Sequence, residues 1–329
     1  MSAEAEQRIQ ATAPAAPVVE PVVEPGITVG VAFEPAAPVP TWTAAIGTGI
    51  ARPIRRVFHR HTPFLDKTAF VLVGLLVLLA IVGLFYRPYD PFNVDTRIAL
   101  LPPSAAHLLG TDDVGRDVLS RILAGAGLTL LSAAAIVLIA AIIGVLVASV
   151  STLLPRWADE VIMRACDIFM SIPSLVLALG LAAALGPSLT SIIVAMVAAS
   201  WPSTARLTRG ILRETMTTSF VESAQILGVS RVRLMLRHVL PNSLDAIYVQ
   251  ASMEISGTIV MISGLAFLGV GAPPPSPDWG SMIAAGQQYI TTAWWISLFP
   301  GLAITIGAIA FGLVGDAVRT FVDPASRRS

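Results

Sequence analysis

The chain has 329 residues, of which 55% are hydrophobic and only 13% charged, and its 21 basic residues balance 21 acidic ones. A soluble domain carries about 25% charged residues, so most of this chain belongs in lipid. The zero net charge excludes the basic footprint of a nucleic-acid binder, and Cys166, the only cysteine, excludes an intrachain disulfide.

In chain order, residues 1–50 are rich in Ala, Pro, Val and Glu without a helical or strand period. Prolines at this density interrupt regular hydrogen bonding, and the segment reads as a disordered tail rather than a signal peptide. Residues 51–67 form a basic juxtamembrane segment with Arg52, Arg55, Arg56, Arg60 and Lys67. A membrane helix needs about 20 apolar residues. The uncharged stretch 68–86 predicts a first helix, 87–127 an extracytoplasmic loop, and 128–154 a second helix. The uncharged stretch 168–205 is broken by Gly186-Pro187, which predicts a tight turn between a third and a fourth helix, with Pro173 kinking the third. Residues 246–271, carrying Glu254, predict a fifth helix, and 294–314 a sixth. The expected fold is all-α and integral to the membrane, with a core at 128–318 and a C-terminus at 319–329.

Residues 206–245 form a polar arm with six arginines: Arg206, Arg209, Arg213, Arg231, Arg233 and Arg237. With the N-terminus inside, seventeen Lys and Arg fall on inside segments, and four (Arg87, Arg97, Arg116, Arg121) fall outside. The positive-inside rule therefore predicts cytoplasmic termini and a cytoplasmic arm. Each arginine at a helix centre costs about 2.5–3.5 kcal/mol on the insertion scale, so six of them keep the arm out of the bilayer. Within the arm, 217–227 predicts a short helix stopped by Gly228, and Ser230 predicts an N-cap for a second helix over 231–239 that ends at Pro241. Val232, Met235, Leu236 and Val239 are expected to pack inward.

Chemical signatures are few. Lys67 is the only lysine and no phosphate-cradling loop precedes it, so ATP driving such a protein is bound by another subunit. His59, His61, His107 and His238 have no metal-ligand spacing. The chain is read as non-catalytic, with no cofactor or metal of its own.

The arm resembles the EAA loop of type I ABC importer permeases. In that loop Glu-Ala-Ala is followed by Gly after three residues and by Leu-Pro about twelve residues further on; here stand Glu222-Ser223-Ala224, Gly228 and Leu240-Pro241, with Ser in place of the middle Ala. Gly110-Thr111-Asp112 through Arg121 is similar to the Gly-Thr-Asp-x-x-Gly-Arg-Asp segment of the C-type permease in the dipeptide, oligopeptide and nickel importer subfamily. Similar too are Asp167 to Pro173, Ser200-Trp201-Pro202, Phe267-Leu268-Gly269, Pro274 to Met282 and Gly315-Asp316. The resemblance covers roughly residues 60–325. It implies a six-helix subunit whose arm docks on an ATPase and couples through Glu222, Ser223, Ala224, Gly228, Leu240 and Pro241. It also implies a second permease subunit, one or two cytoplasmic ATPase subunits that hold ATP and magnesium, and an extracytoplasmic binding protein. The implied cargo is a di- or oligopeptide, with a nickel or metal chelate as the alternative of the same fold. A membrane scaffold without transport is a further reading.

Some residues leave two readings open. The 110–121 segment fits either a vestibule or a self-paired turn that seals a loop, and the proline-rich loop 273–292 suits a contact surface for the binding protein. Glu254 faces a pathway, or lies near the headgroups and pairs with an arm arginine; the second is the expectation. Gly257, Gly264 and Gly269 allow close helix contact, either across a heterodimer interface or within the chain. The subfamily often has Glu before Phe-Leu-Gly, where Ile262 stands here.

Overall fold

The computed structural model describes residues 64–322. The expectations for the tail, most of the basic juxtamembrane segment and the end of the C-terminus lie outside the described residues. Among the described residues the regular structure is helical, apart from one isolated bridge between Thr111 and Asp117. The helices are α1 (Phe64–Phe85), α2 (Val118–Leu153), α3 (Arg156–Met170), α4 (Ser174–Leu185), α5 (Leu189–Met216), α6 (Ser219–Ile226), α7 (Arg231–Leu234), α8 (Leu240–Leu265), α9 (Trp279–Gly286) and α10 (Trp295–Val322).

Four stretches are long and apolar enough to cross a membrane: Lys67–Phe85, Val118–Leu153, Arg231–Val270 and Trp295–Thr320. The bent pair α3–α4 makes a fifth. α5 has 28 residues, but its uncharged part ends at Ala205 and three arginines follow before its end at Met216.

Four expectations change. The second helix, α2, starts at Val118, ten residues inside the stretch expected as a loop, where Asp117 caps it. The stretch 156–167, expected as a connection, is helical, so Ile168 lies near the end of α3 rather than at the start of a span. Pro173 does not kink a helix from inside; it heads α4 after an 82° bend. A proline has no N–H to give to the turn before it, and a helix start needs none. Pro241 does not end the second arm helix either. α7 passes through a wider π turn, Met235–Val239, directly into α8, and a second π turn, Ala266–Val270, follows. The π turn changes the hydrogen-bond register just before Pro241, whose missing N–H would otherwise break the α ladder.

Three apolar clusters lie along the bundle. At one end Val118, Ile122 and Ala126 of α2 pack with Trp279 and Met282 of α9, Ile259 of α8, and Trp295, Ile296 and Ile304 of α10. In the middle Ile136 meets Ala178 and Ala182 of α4, Ile192 and Met196 of α5, and Ile262 and Leu265 of α8. At the arm end Ala148 and Leu212 meet Val221, Ala224, Leu234, Met235 and Val239. The first cluster depends on a close approach: a Cβ on Gly125 would sit 2.1 Å from the Pro277 carbonyl oxygen. Trp279 is fully buried beside it and donates its indole N–H to the Ile122 carbonyl at 3.0 Å.

Gly125→Ala is expected to destabilise the purified protein by about 1–3 kcal/mol, the usual cost of overpacking a core. Gly127→Ala, where nothing lies within 4 Å of the new Cβ, is expected to be neutral or to stabilise by up to about 1 kcal/mol through alanine's better helix propensity. Thermal unfolding in detergent distinguishes them, and equal melting temperatures would contradict the close contact.

Candidate functional site

The arm is built on α5. That helix runs eleven residues past Ala205, so Arg206, Arg209 and Arg213 stand on a rigid rod rather than in a loop. After Thr217 and Thr218 the chain turns into α6, whose first turn is helical from Ser219. Val221 and Ala224, three residues apart on one face, insert into the arm cluster. Glu222 and Ser223 face outward. The Ser223 hydroxyl bonds back to the Ser219 carbonyl at 2.8 Å, so the departure from alanine is absorbed within the helix. Ile226 and Leu227 at the tip are 87% and 83% exposed. Gly228 then takes φ +79°, its N–H reaching the Gln225 carbonyl at 2.9 Å and that of Val229 reaching Ala224 at 3.2 Å. This left-handed stop satisfies carbonyls the helix end would leave free. Leu240 packs partly against the arm cluster, and Pro241 is exposed. Of the six expected coupling residues, Ala224 and Leu240 therefore hold the arm together, while Glu222, Ser223, Gly228 and Pro241 lie on its surface. Val232 and Leu236 point outward, at 56% and 60% exposed, contrary to expectation; Leu234 takes the inward place instead.

A residue that the sequence reading missed lies under the arm. Asp159, near the start of α3, is only 3% exposed. Its carboxylate accepts Arg209 Nε at 2.6 Å, a second Arg209 nitrogen, an Arg213 nitrogen and the Ser151 hydroxyl of α2. A buried charge needs such compensation. One turn earlier on α5 Arg206 pairs with Asp167 of α3, and Phe169 meets Trp201 edge to face at 5.6 Å between centroids. The available signal was the spacing: Arg206, Arg209 and Arg213 recur at helical i, i+3 and i+7, which lines them up on one face.

Among the described residues, Glu254 on α8 pairs with no arginine of the arm. Its carboxylate accepts the Gln250 amide at 3.1 Å and lies against the Thr204 hydroxyl of α5. The expected arm partners are otherwise occupied or too far along the helix: Arg206, Arg209 and Arg213 are engaged by Asp167 and Asp159. Gly257 and Gly264 have nothing within 4 Å of an added Cβ, and Gly269, at φ +87°, has nothing either. Among the described residues, these glycines make no close helix contact within the chain. With Gln250, exposed Val260 and exposed Leu268, the first two lie along one open side of α8.

The far end of the bundle is closed by a clasp of polar bonds. Asp112 accepts the N–H groups of Val114 and Arg116 and the Arg116 Nε at 2.7 Å. Asp117 caps α2 through Ser120 and also holds His107 at 3.0 Å. Arg121 donates to the carbonyls of Pro91, Pro275 and Ser276. The 110–121 segment is thus a self-paired turn, and Arg121 extends it to the proline-rich loop. Asp278 caps α9 through Gly280 and Ser281; burial pushes its carboxyl up, against the pull of those N–H groups. Among the described residues, no three His, Cys, Asp or Glu side chains converge as a metal site would require.

The family model described as the binding-protein-dependent transport system inner membrane component matches residues 140–328. The chain belongs to that family. The permease is 43% identical over 260 residues to the probable D,D-dipeptide transport system permease protein DdpC of Escherichia coli (strain K12), covering 79% of this chain and 87% of that protein. It is 42% identical over 260 residues to the dipeptide transport system permease protein DppC of the same strain, covering 77% and 87%. It is 39% identical over 256 residues to the di/tripeptide transport system permease protein DppC of Pseudomonas aeruginosa (strain UCBPP-PA14), covering 76% and 84%. The permease is a multi-pass integral membrane protein of the inner membrane. The matched region takes in the whole arm, α8 and all of the arm cluster, whereas the 110–121 clasp lies before it.

Two outcomes test this geometry. Gly228→Ala is expected to cost about 1–2 kcal/mol, because alanine resists the left-handed region, and to speed hydrogen exchange at Val229; unchanged exchange would contradict the helix stop. Arg121→Gln is expected to cost about 1–3 kcal/mol by orphaning the buried Pro91 carbonyl and freeing those of Pro275 and Ser276, and to expose 273–278 to proteolysis. A cleavage pattern like that of the unaltered protein would show that Arg121 does not hold the loop.

Proposed function

We propose that this permease forms one half of the translocation pathway of an ATP-driven importer of di- and oligopeptides. The arm carries the reading: Glu222 stands exposed beside the exposed Ile226 and Leu227, while Val221 and Ala224 anchor the helix below. An acid over an apolar tip suits a partner groove with an apolar floor and a cation at its rim, and an exposed apolar cluster off the membrane marks an interaction site. The partner is a cytoplasmic ATPase subunit, present in one kind or two, and ATP with magnesium binds there.

The seventeen-to-four distribution of basic residues supports a cytoplasmic arm and cytoplasmic termini. Counting α1, α2, the α3–α4 pair, α5, α8 and α10 as crossings gives six, an even number that returns the C-terminus to the side of the N-terminus. The open side of α8 with Gly257 and Gly264 suits a second permease subunit, with Glu254 and Gly269 bordering the pathway between the two. The clasped loop end suits the extracytoplasmic binding protein that delivers cargo. The peptide cargo is supported by the relatives, which are named for dipeptides, D,D-dipeptides and di/tripeptides. In the transport cycle, closure of the ATPases on ATP would rotate the arms and switch the helices between inward- and outward-facing arrangements.

The test is reconstitution with the second permease, the ATPases and the binding protein. Glu222→Arg is expected to abolish both transport and the hydrolysis stimulated by the binding protein, while the two permeases still copurify. Normal transport by that variant would overturn the docking reading. Uptake of a labelled dipeptide should be competed by unlabelled peptides and not by a nickel chelate; the reverse would move the cargo to metal chelates.

A further inference from the structure

The charged contacts between α3 and α5 have a direction and a register. Arg206 meets Asp167, and Arg209 and Arg213 meet Asp159, so the two helices run antiparallel along the arm half of α5. Leu212 lies between two of these arginines in sequence yet is fully buried in the arm cluster with Val221 and Ala224. One short segment of α5 therefore holds the coupling arm on one side and α3 on the other. The Ser151 hydroxyl brings α2 into the same node.

An apolar helix contact can slide by exchanging similar neighbours. This one resists sliding, because any shift must first break the Arg209, Arg213 and Ser151 bonds to the buried Asp159 carboxylate together with the Arg206–Asp167 pair. α3 is thus obliged to follow α5. Its other end is the bend at 171–173, beyond which α4 packs with α5 and α8 in the middle cluster. Movement of the arm end would be delivered to that bend.

We propose that Asp159 is a positioning residue of the transport cycle, whose grip on Arg209, Arg213 and Ser151 makes α3 move with the coupling arm. The inference rests on the docking reading above. It assigns no contact with cargo or nucleotide to Asp159.

The experiment uses the full reconstituted transporter. In a Cys166→Ser background, which removes the only cysteine, spin labels are placed at Val161→Cys on α3 and Glu214→Cys on α5, both exposed positions. With Asp159 intact, the label distance is expected to be the same in the resting and ATP-trapped states. In Asp159→Asn the distance should shift or broaden on trapping, and cargo moved per ATP hydrolysed should fall at least about fivefold, the lower end of ordinary coupling effects. An unchanged distance with an unchanged ratio overturns the proposal. So does a parallel fall of hydrolysis and transport that leaves the ratio fixed, since that is what a purely structural staple would give. Should Asp159→Asn not assemble, Arg213→Gln carries the same two readouts, because Arg209 still pairs with the carboxylate; an intermediate fall in the ratio is expected and an unchanged ratio overturns the claim. The ratio also separates this inference from docking, because Glu222→Arg lowers hydrolysis and transport together.

Discussion

Hydrocarbon offers no hydrogen bond to a peptide group, so a chain that crosses it must satisfy its backbone from within. Much of this architecture follows from that constraint. The crossing elements are helices, and the irregular backbone of 86–117 and 271–278 is gathered at one end, where side chains complete its bonding. Asp112, Asp117 and Arg121 serve that end as donors and acceptors for main-chain groups rather than as free surface charges. The break at 171–173 departs from the pattern. There the helix is interrupted beside the bundle, and the Ser171 amide is satisfied by the last carbonyls of α3.

At the other end polar chemistry has a different task. On the proposed docking, the arm has to be firm enough to pass on a displacement and still present an unsatisfied face to another protein. Val221, Ala224, Leu234 and Met235 give it firmness, and Glu222, Ile226 and Leu227 leave it incomplete. The buried carboxylate of Asp159 ties the same rod to α2 and α3. Charge here serves register more than stability, since an ion pair removed from water gains little net energy over an apolar contact.

Much of this was legible in the sequence. Uncharged stretches revealed the apolar spans because lipid tolerates so few charges, and Gly186-Pro187 and Gly228 revealed turns because of their own backbone chemistry. What escaped was whatever depended on a distant partner or on helical phase. Asp159 finds its arginines some fifty residues away, and nothing local distinguishes it from the exposed Glu160 beside it. α3 mixes Arg156, Trp157 and Asp159, and a search for uninterrupted apolar runs reads it as a connection. Glu254 was expected to seek an arginine, but those on α5 were already engaged. Pro241 looked like a stop because the π turn that accommodates it leaves no mark in composition.

That π turn also sets which residues of the arm are inside. Met235, Val239, Ser243 and Ile247 are all buried and recur every four residues. In an unbroken α-helix each residue advances about 100°, so a four-residue repeat drifts about 40° per step and soon leaves the core. The wider turn at Met235–Val239 absorbs the drift by accommodating one additional residue. The helix is therefore a vernier as well as a rod. Were the same residues wound as an unbroken α-helix, the segment before the turn would be rotated by about 100°, and Leu234, which closes the arm core, would stand where Arg233 is now exposed.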